Sequence, residues 1–133
     1  MERLPVIALV DTHAVIWAIE NDPRLGKNAA ELIGRAKPSS LGIADLTLLE
    51  IAILIKKKRI GIASTPELFL HQIESVYHVY KLTAAIAQSA VELPLTHSDP
   101  FDRTIVATAR YHKLPLITKD RLIIGSKCVE TIW

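Results

Sequence analysis

The sequence predicts a single α/β domain over residues 1–133, with a central parallel sheet of four or five strands flanked by helices on both faces. Two short runs, Pro5 to Val10 and Leu114 to Thr118, are continuously apolar rather than alternating. Strands buried on both faces by helices read this way. Between the runs, strand-like and helix-like patterns alternate, the signature of βαβ units joined by right-handed crossovers. Asp11 follows the first run at once, and the second ends in Lys119 and Asp120.

In chain order, Asp11 and Thr12 lead into an apolar-periodic helix over His13 to Ile19. Asp11 suits the N-cap of that helix, and it also stands where ligands bind in open α/β sheets, at the carboxyl end of a strand. Asn21, Asp22 and Pro23 mark a turn. Arg24 to Lys37 reads as an amphipathic helix and Ser39 to Ala44 as a short strand, with Asp45 as a plausible cap for the next helix. From Leu46 to Ile55 nearly every residue is apolar, which predicts a helix buried on all sides, with Glu50 in its middle. Lys56 to Arg59 complements the negative end of the helix dipole. Pro66 to Ser75 reads as a helix, Val76 to Leu82 as a strand, Thr83 to Leu93 as a helix and Cys128 to Trp133 as a last strand.

The stretch HSDPFDRTIVATAR, His97 to Arg110, is the most informative. Asp99 is placed to cap, and Pro100 sits at the first helical position, where its missing N–H costs nothing. Asp102, Ile105, Val106 and Ala109 share one face at helical spacing. That face is apolar except for its first member. An ionised acid leading a buried stripe is expensive unless something cationic holds it; alternatively, Asp102 reaches back to the Asp99 N–H as the acid of a capping box.

Composition narrows the classes. The chain has 133 residues, 50% of them hydrophobic and 5% aromatic, with a net charge of +2. That is enough chain for a real core, and too little charge to announce a nucleic-acid binder. Cys128 is the single cysteine, so no internal disulfide forms and a reducing, cytoplasmic setting is expected. No apolar run approaches the roughly 18 residues of a membrane span.

Right-handed crossovers bring the carboxyl ends of all the strands to one edge, so Asp11, Glu50, Asp102 and Asp120 are expected to converge there. Four carboxylates in one cleft repel one another unless a cation is present. Hard oxygen donors suit Mg²⁺ or Mn²⁺, which keep waters and accept phosphates. The chemistry this favours is metal-assisted phosphodiester hydrolysis.

The motifs DTHAVIW at Asp11, LTLLEIAILIKKKRI around Glu50, DPFDRTIVATA around Asp102 and LPLITKD ending at Asp120 together resemble a PIN-domain ribonuclease. More narrowly, they resemble the VapC-type toxins of prokaryotic toxin–antitoxin pairs. The resemblance covers essentially the whole chain in order. It implies a quartet of Asp11, Glu50, Asp102 and Asp120 that binds Mg²⁺ or Mn²⁺ and cuts single-stranded RNA, a cognate antitoxin and a homodimer. Thr12 follows the first acid as the family's hydroxyl residue does. Asp99 and Arg103 belong to the DPFDR pattern, as cap and site support. Lys58 departs from the pattern, since many relatives carry Gly there.

His13 and His97 lie beside acids but read as helix-edge histidines with ordinary hydrogen bonds, while His71, His78 and His112 have no acid at ligand spacing. Trp17 reads as core. Two other classes compete. A phospho-acceptor or aspartyl phosphatase domain also places acids at strand ends, but wants a second acid two positions after Asp11, where His13 stands. A non-catalytic PIN-like binding module would use the same acids only as caps.

Overall fold

A computed structural model of the chain describes residues 5–133. The elements run β1 (Ala8–Val10), α1 (Thr12–Glu20), α2 (Lys27–Arg35), β2 (Leu41–Ala44), α3 (Asp45–Lys56), α4 (Pro66–Val76), β3 (His78–Tyr80), α5 (Ala84–Glu92), α6 (Pro100–Tyr111), β4 (Leu116–Ile117), α7 (Arg121–Ser126) and β5 (Thr131–Ile132). All strand pairs are parallel, and the order across the sheet is β3-β2-β1-β4-β5. The order reverses direction at β1, with β2 on one side and β4 on the other. The crevice outside the carboxyl ends of β1 and β4 is therefore the switch point at which sheets of this kind bind ligands.

Alternation along β1 explains its continuous apolar run. Ala8 and Val10 enter one core with Val15, Trp17, Ile51, Phe69 and Ile73. Leu9 enters the opposite core with Ile86, Ile105, Val106, Leu116 and Ile123. Helices cover both faces, so neither side of the strand carries a polar residue. The strands are shorter than the runs that announce them, because only the central residues of each run pair with a neighbour.

Three sequence expectations change. Helix α3 is not buried on all sides: Thr47 and Ile51 are its fully buried residues, while Leu49 is 51% exposed. It packs against α4 and α6, and Leu49 faces away from both cores. Asp45 does not cap this helix. Ala44 takes the N-cap without a side-chain bond, and Asp45 Oδ2 instead accepts the Leu82 N–H at 3.0 Å, tying α3 to the loop after β3. Helix α7, which the sequence pattern does not announce, follows β4 and is capped by Asp120.

Two backbone positions are informative. Gly26 leaves no room for a side chain, since a Cβ there would lie 2.5 Å from Trp133 Cδ1. Lys58, the departure from the family pattern, has a φ of 56°, in the left-handed region that glycine enters freely. Among the described residues, no helix is long and apolar enough to cross a membrane.

Candidate active site

Asp11 and Asp120 reach the switch point by the same local device. Asp11 caps α1, its Oδ1 accepting the Ala14 N–H at 2.9 Å. Asp120 caps α7, its Oδ1 accepting the N–H groups of Leu122 and Ile123 at 2.9 and 3.0 Å. The capping and functional readings of these acids are thus compatible: the cap orients a carboxylate at the sheet edge. Burial pushes the Asp11 carboxyl up, against the opposing pull of Thr118 and the Ala14 amide. Burial acts the same way on Asp120, but there the His97 N–H and the α7 amides outweigh it and hold the group below its ordinary value.

Glu50 projects from α3 toward Asp11. It accepts a hydrogen bond from Thr12 Oγ1, whose oxygen lies 3.2 Å from Thr47 Oγ1. Both threonines are buried. This chain of hydroxyls joins the start of α1 to α3 and gives Thr12 a definite role, that of holding Glu50. The carboxyl of Glu50 is raised, by burial first, with the Thr12 bond opposing it.

On α6, Asp99 takes the N-cap and accepts the Phe101 N–H at 2.8 Å. The bond back from Asp102 to the Asp99 N–H that a capping box requires is not formed. Asp102 points instead toward His97, whose Nδ1 lies 3.8 Å from its Oδ2. Burial, reinforced by Asp99, pushes the Asp102 carboxyl up to about 7. His97 sits between two acids: its Nε2 lies 3.0 and 2.9 Å from the two oxygens of Asp120. That contact raises the His97 imidazole above its ordinary value.

Arg103 supports the site through backbone. Its guanidinium donates to the carbonyls of Ala90 (2.9 Å), Leu93 (2.7 Å), Leu95 (3.0 Å) and His97 (2.7 Å). One side chain therefore fixes the whole segment between α5 and α6, His97 included.

A cavity of about 810 Å³ collects these groups, lined by Asp11, Glu50, Asp99, Asp102 and Asp120. His13, Trp17, Arg24, Lys119 and Trp133 line the same cavity. The sequence brings the four acids to one edge and reads His97 as hydrogen-bonded, as found, without naming Asp120 as its partner; it does not single out Arg24, Lys119 or Trp133. The adjacency of His97 to the DPFDR motif was the available signal for its place at the site. Among the other histidines, His71 does have an acid partner, Glu74, at 3.0 Å on the exposed face of α4.

The donor set fits a divalent ion. His97, Asp102 and Asp120 present ligand atoms within 4.8 Å of one another, and Asp11 and Glu50 line the same cavity. Oxygen-rich donors with room for water suit Mg²⁺ or Mn²⁺. Burial first, then neighbouring acids, raises the carboxyls of Asp11, Glu50 and Asp102, and a cation among them would favour their charged forms.

Residues 8–124 match the family model described as the PIN domain. Ribonuclease VapC22 of Mycobacterium tuberculosis is 34% identical over 128 residues, covering 94% of this chain and 97% of that protein. Among solved structures, DNA-bound VapBC from Salmonella typhimurium superposes with a TM-score of 0.71 at 21% identity, over 96% of this chain and 97% of the other. VapC20 of Mycobacterium tuberculosis, described as a sarcin-ricin loop cleaving toxin, superposes with a TM-score of 0.68 at 22% identity, over 92% and 97%. At these identities the structural likeness bears on the fold.

Proposed function

The chain belongs to the PIN-domain family, and from that premise we propose that it is an endoribonuclease that cuts single-stranded RNA as the toxin of a toxin–antitoxin pair. One observation carries the reading: carboxylates from four separate places in the fold, Asp11, Glu50, Asp102 and Asp120, line one cavity at the switch point of the sheet. Caps alone would not require this. Glu50 caps no helix, and Asp102 makes no capping-box bond while being pushed up to about 7.

In this reading Asp11, Glu50, Asp102 and Asp120 hold Mg²⁺ or Mn²⁺. Such an ion, when bound, supplies Lewis acidity that makes water a better nucleophile and offsets charge on the attacked phosphate. The remaining work falls to the chain. The N-terminal amides of α1 and α7 fix the orientation of Asp11 and Asp120. Thr12 holds Glu50, and His97 holds Asp120. Arg103 locks the segment that carries His97, so the acids are already positioned before substrate arrives, which is where much of the rate enhancement in such sites arises.

The toxin reading rests on likeness to ribonuclease VapC22 and includes a cognate antitoxin and a homodimer. The test is cleavage of single-stranded RNA by purified protein. Cleavage is expected with Mg²⁺ or Mn²⁺, lost with EDTA and restored by added metal. Expression without an antitoxin is expected to slow growth, and co-expression of the neighbouring antitoxin to relieve it. Soluble protein that cuts no RNA with either metal would overturn the nuclease reading. Unimpeded growth alongside cleavage in vitro would overturn only the toxin reading.

A further inference from the structure

We propose that Lys119, Arg24 and Arg59 form a phosphate track that carries the RNA strand across Trp17 into the acid-lined cavity. The proposal rests on the nuclease reading above and names how that site takes a polyanion. Five carboxylates line the cavity, and carboxylates that attract a metal ion repel a phosphodiester. A strand entering it needs compensating positive charge.

Arg24 and Lys119, which line the same cavity, supply it in an ordered form. Trp17 is only 5% exposed, so its ring is a floor rather than a stacking platform for bases. Arg24 Cζ lies 4.8 Å and Lys119 Nζ 4.6 Å from the ring centroid. Cations at these distances are attracted to the indole face, which holds both exposed heads beside the cavity. Arg24 is fixed a second time: its Nε and Nη2 bond to the Asp22 carboxylate at 3.1 and 2.7 Å, which leaves the Nη1 edge for a ligand. Trp133 packs edge-on against Trp17, with ring centroids 5.9 Å apart and planes at 64°.

A second cavity, of about 350 Å³, adjoins the same residues. The two share His13, Trp17 and Arg24. Arg59, in the turn after α3, also lines the second. The acids facing this path are Asp22, already engaged by Arg24, and Glu20, on the wall of the second cavity. In the proposed track the strand passes from one cavity to the other along Arg24, which lines both, with Lys119 lining the first and Arg59 the second. Flexible single strands follow such charged grooves without needing a sequence match.

Two readouts test the track. The first is the salt dependence of kcat/KM on a fluorogenic single-stranded RNA of mixed sequence, with Mn²⁺ present. Each lost phosphate contact lowers the slope of log affinity against log salt by about 0.7 on a single strand. Lys119→Gln and Arg24→Gln are each expected to raise KM with little change in kcat and to flatten the slope by about 0.7. The double variant is expected to flatten it by about 1.4. Lys119→Arg should keep the wild-type slope, and Lys57→Gln, on the exposed end of α3 outside both cavities, should leave slope and KM unchanged. The second readout needs no cleavage. The chain's 2 tryptophans both line the main cavity, so RNA added to Asp102→Asn protein should change intrinsic emission, at lower salt in the Lys119→Gln background. Slopes unchanged by Lys119→Gln and Arg24→Gln, or an equal effect of Lys57→Gln, would overturn the track while leaving the nuclease reading intact. Wild-type protein that neither binds nor cuts RNA would overturn both.

Discussion

His97 holds both carboxylate oxygens of Asp120 with one ring nitrogen, Nε2, at 3.0 and 2.9 Å, across 23 residues of sequence. A single N–H shared in this way sets the plane of the carboxylate that follows β4. Because Asp120 also caps α7, the imidazole competes with the helix amides only for Oδ1 and governs how Oδ2 faces the cavity. His97→Ala should therefore weaken Mn²⁺ binding and RNA cleavage about 10–100-fold, the usual effect of losing an outer-shell partner. His97→Asn, which restores an N–H donor, should recover part of both. Isothermal titration with Mn²⁺ and initial cleavage rates check this, and equal affinity in all three proteins would show that Asp120 needs no such holder.

Arg103 acts one step further out. Its bonds to the carbonyls of Ala90, Leu93, Leu95 and His97 tie the last turn of α5 to the irregular segment after it, in which Leu93 O also accepts the Leu95 N–H at 2.8 Å. Arg103→Ala leaves several half-buried acceptors unpaired, at about 1–3 kcal/mol. Lys lacks the planar fork and should rescue little. Hydrogen exchange is expected to quicken across residues 93–99 in both variants. A melting temperature and exchange pattern like the wild type's would mean that water replaces the guanidinium at no cost.

The four acids and the parallel sheet were legible because each leaves a local mark. A buried strand shows as an unbroken apolar run, and an acid at its end interrupts that run. The residues gathered on Trp17 left no such mark, because Arg24 lies in a turn, Lys119 follows β4 and Trp133 lies beyond β5; the crossovers and the close approach at Gly26 bring them to Trp17. Helix α7 escaped notice because its six residues are too few to show a period. The all-round burial expected of α3 failed for a related reason. Apolar content shows that a helix packs against something, but not that it packs on every side, and Leu49 faces out.

Lys58 carries a measurable backbone cost. With φ at 56° and an exposed side chain, it sits where a Cβ costs on the order of 1 kcal/mol. Lys58→Gly should therefore stabilise the protein by up to about 1 kcal/mol, less the extra chain entropy that glycine brings to the unfolded state. Urea denaturation would resolve the change. A loss of stability would show that the lysine side chain contributes more at this turn than its backbone costs.

Asp102 gives the sharpest test, because two roles for one carboxylate predict opposite results. Were it only a helix-start acid, Asp102→Asn would leave cleavage alone and cost about 1 kcal/mol or less. As a metal ligand it behaves differently. Burial and Asp99 raise its carboxyl from the ordinary 3.8 to about 7 in the folded protein. A folded value above the unfolded one means that the folded state holds the proton more tightly. Its contribution to stability is then fully present below 3.8 and is lost as pH rises through about 7. The loss is on the order of a few kcal/mol by linkage. Metal-free wild-type protein should thus become less stable over that window, and Asp102→Asn should flatten the curve, with Asp11 and Glu50, both also raised, supplying what slope remains. Added Mn²⁺ should stabilise the wild type above pH 7 and the variant much less. Cleavage by the variant should fall by orders of magnitude under limiting metal. Parallel stability curves for the two proteins, with wild-type cleavage in both, would return Asp102 to a purely structural place at the start of α6.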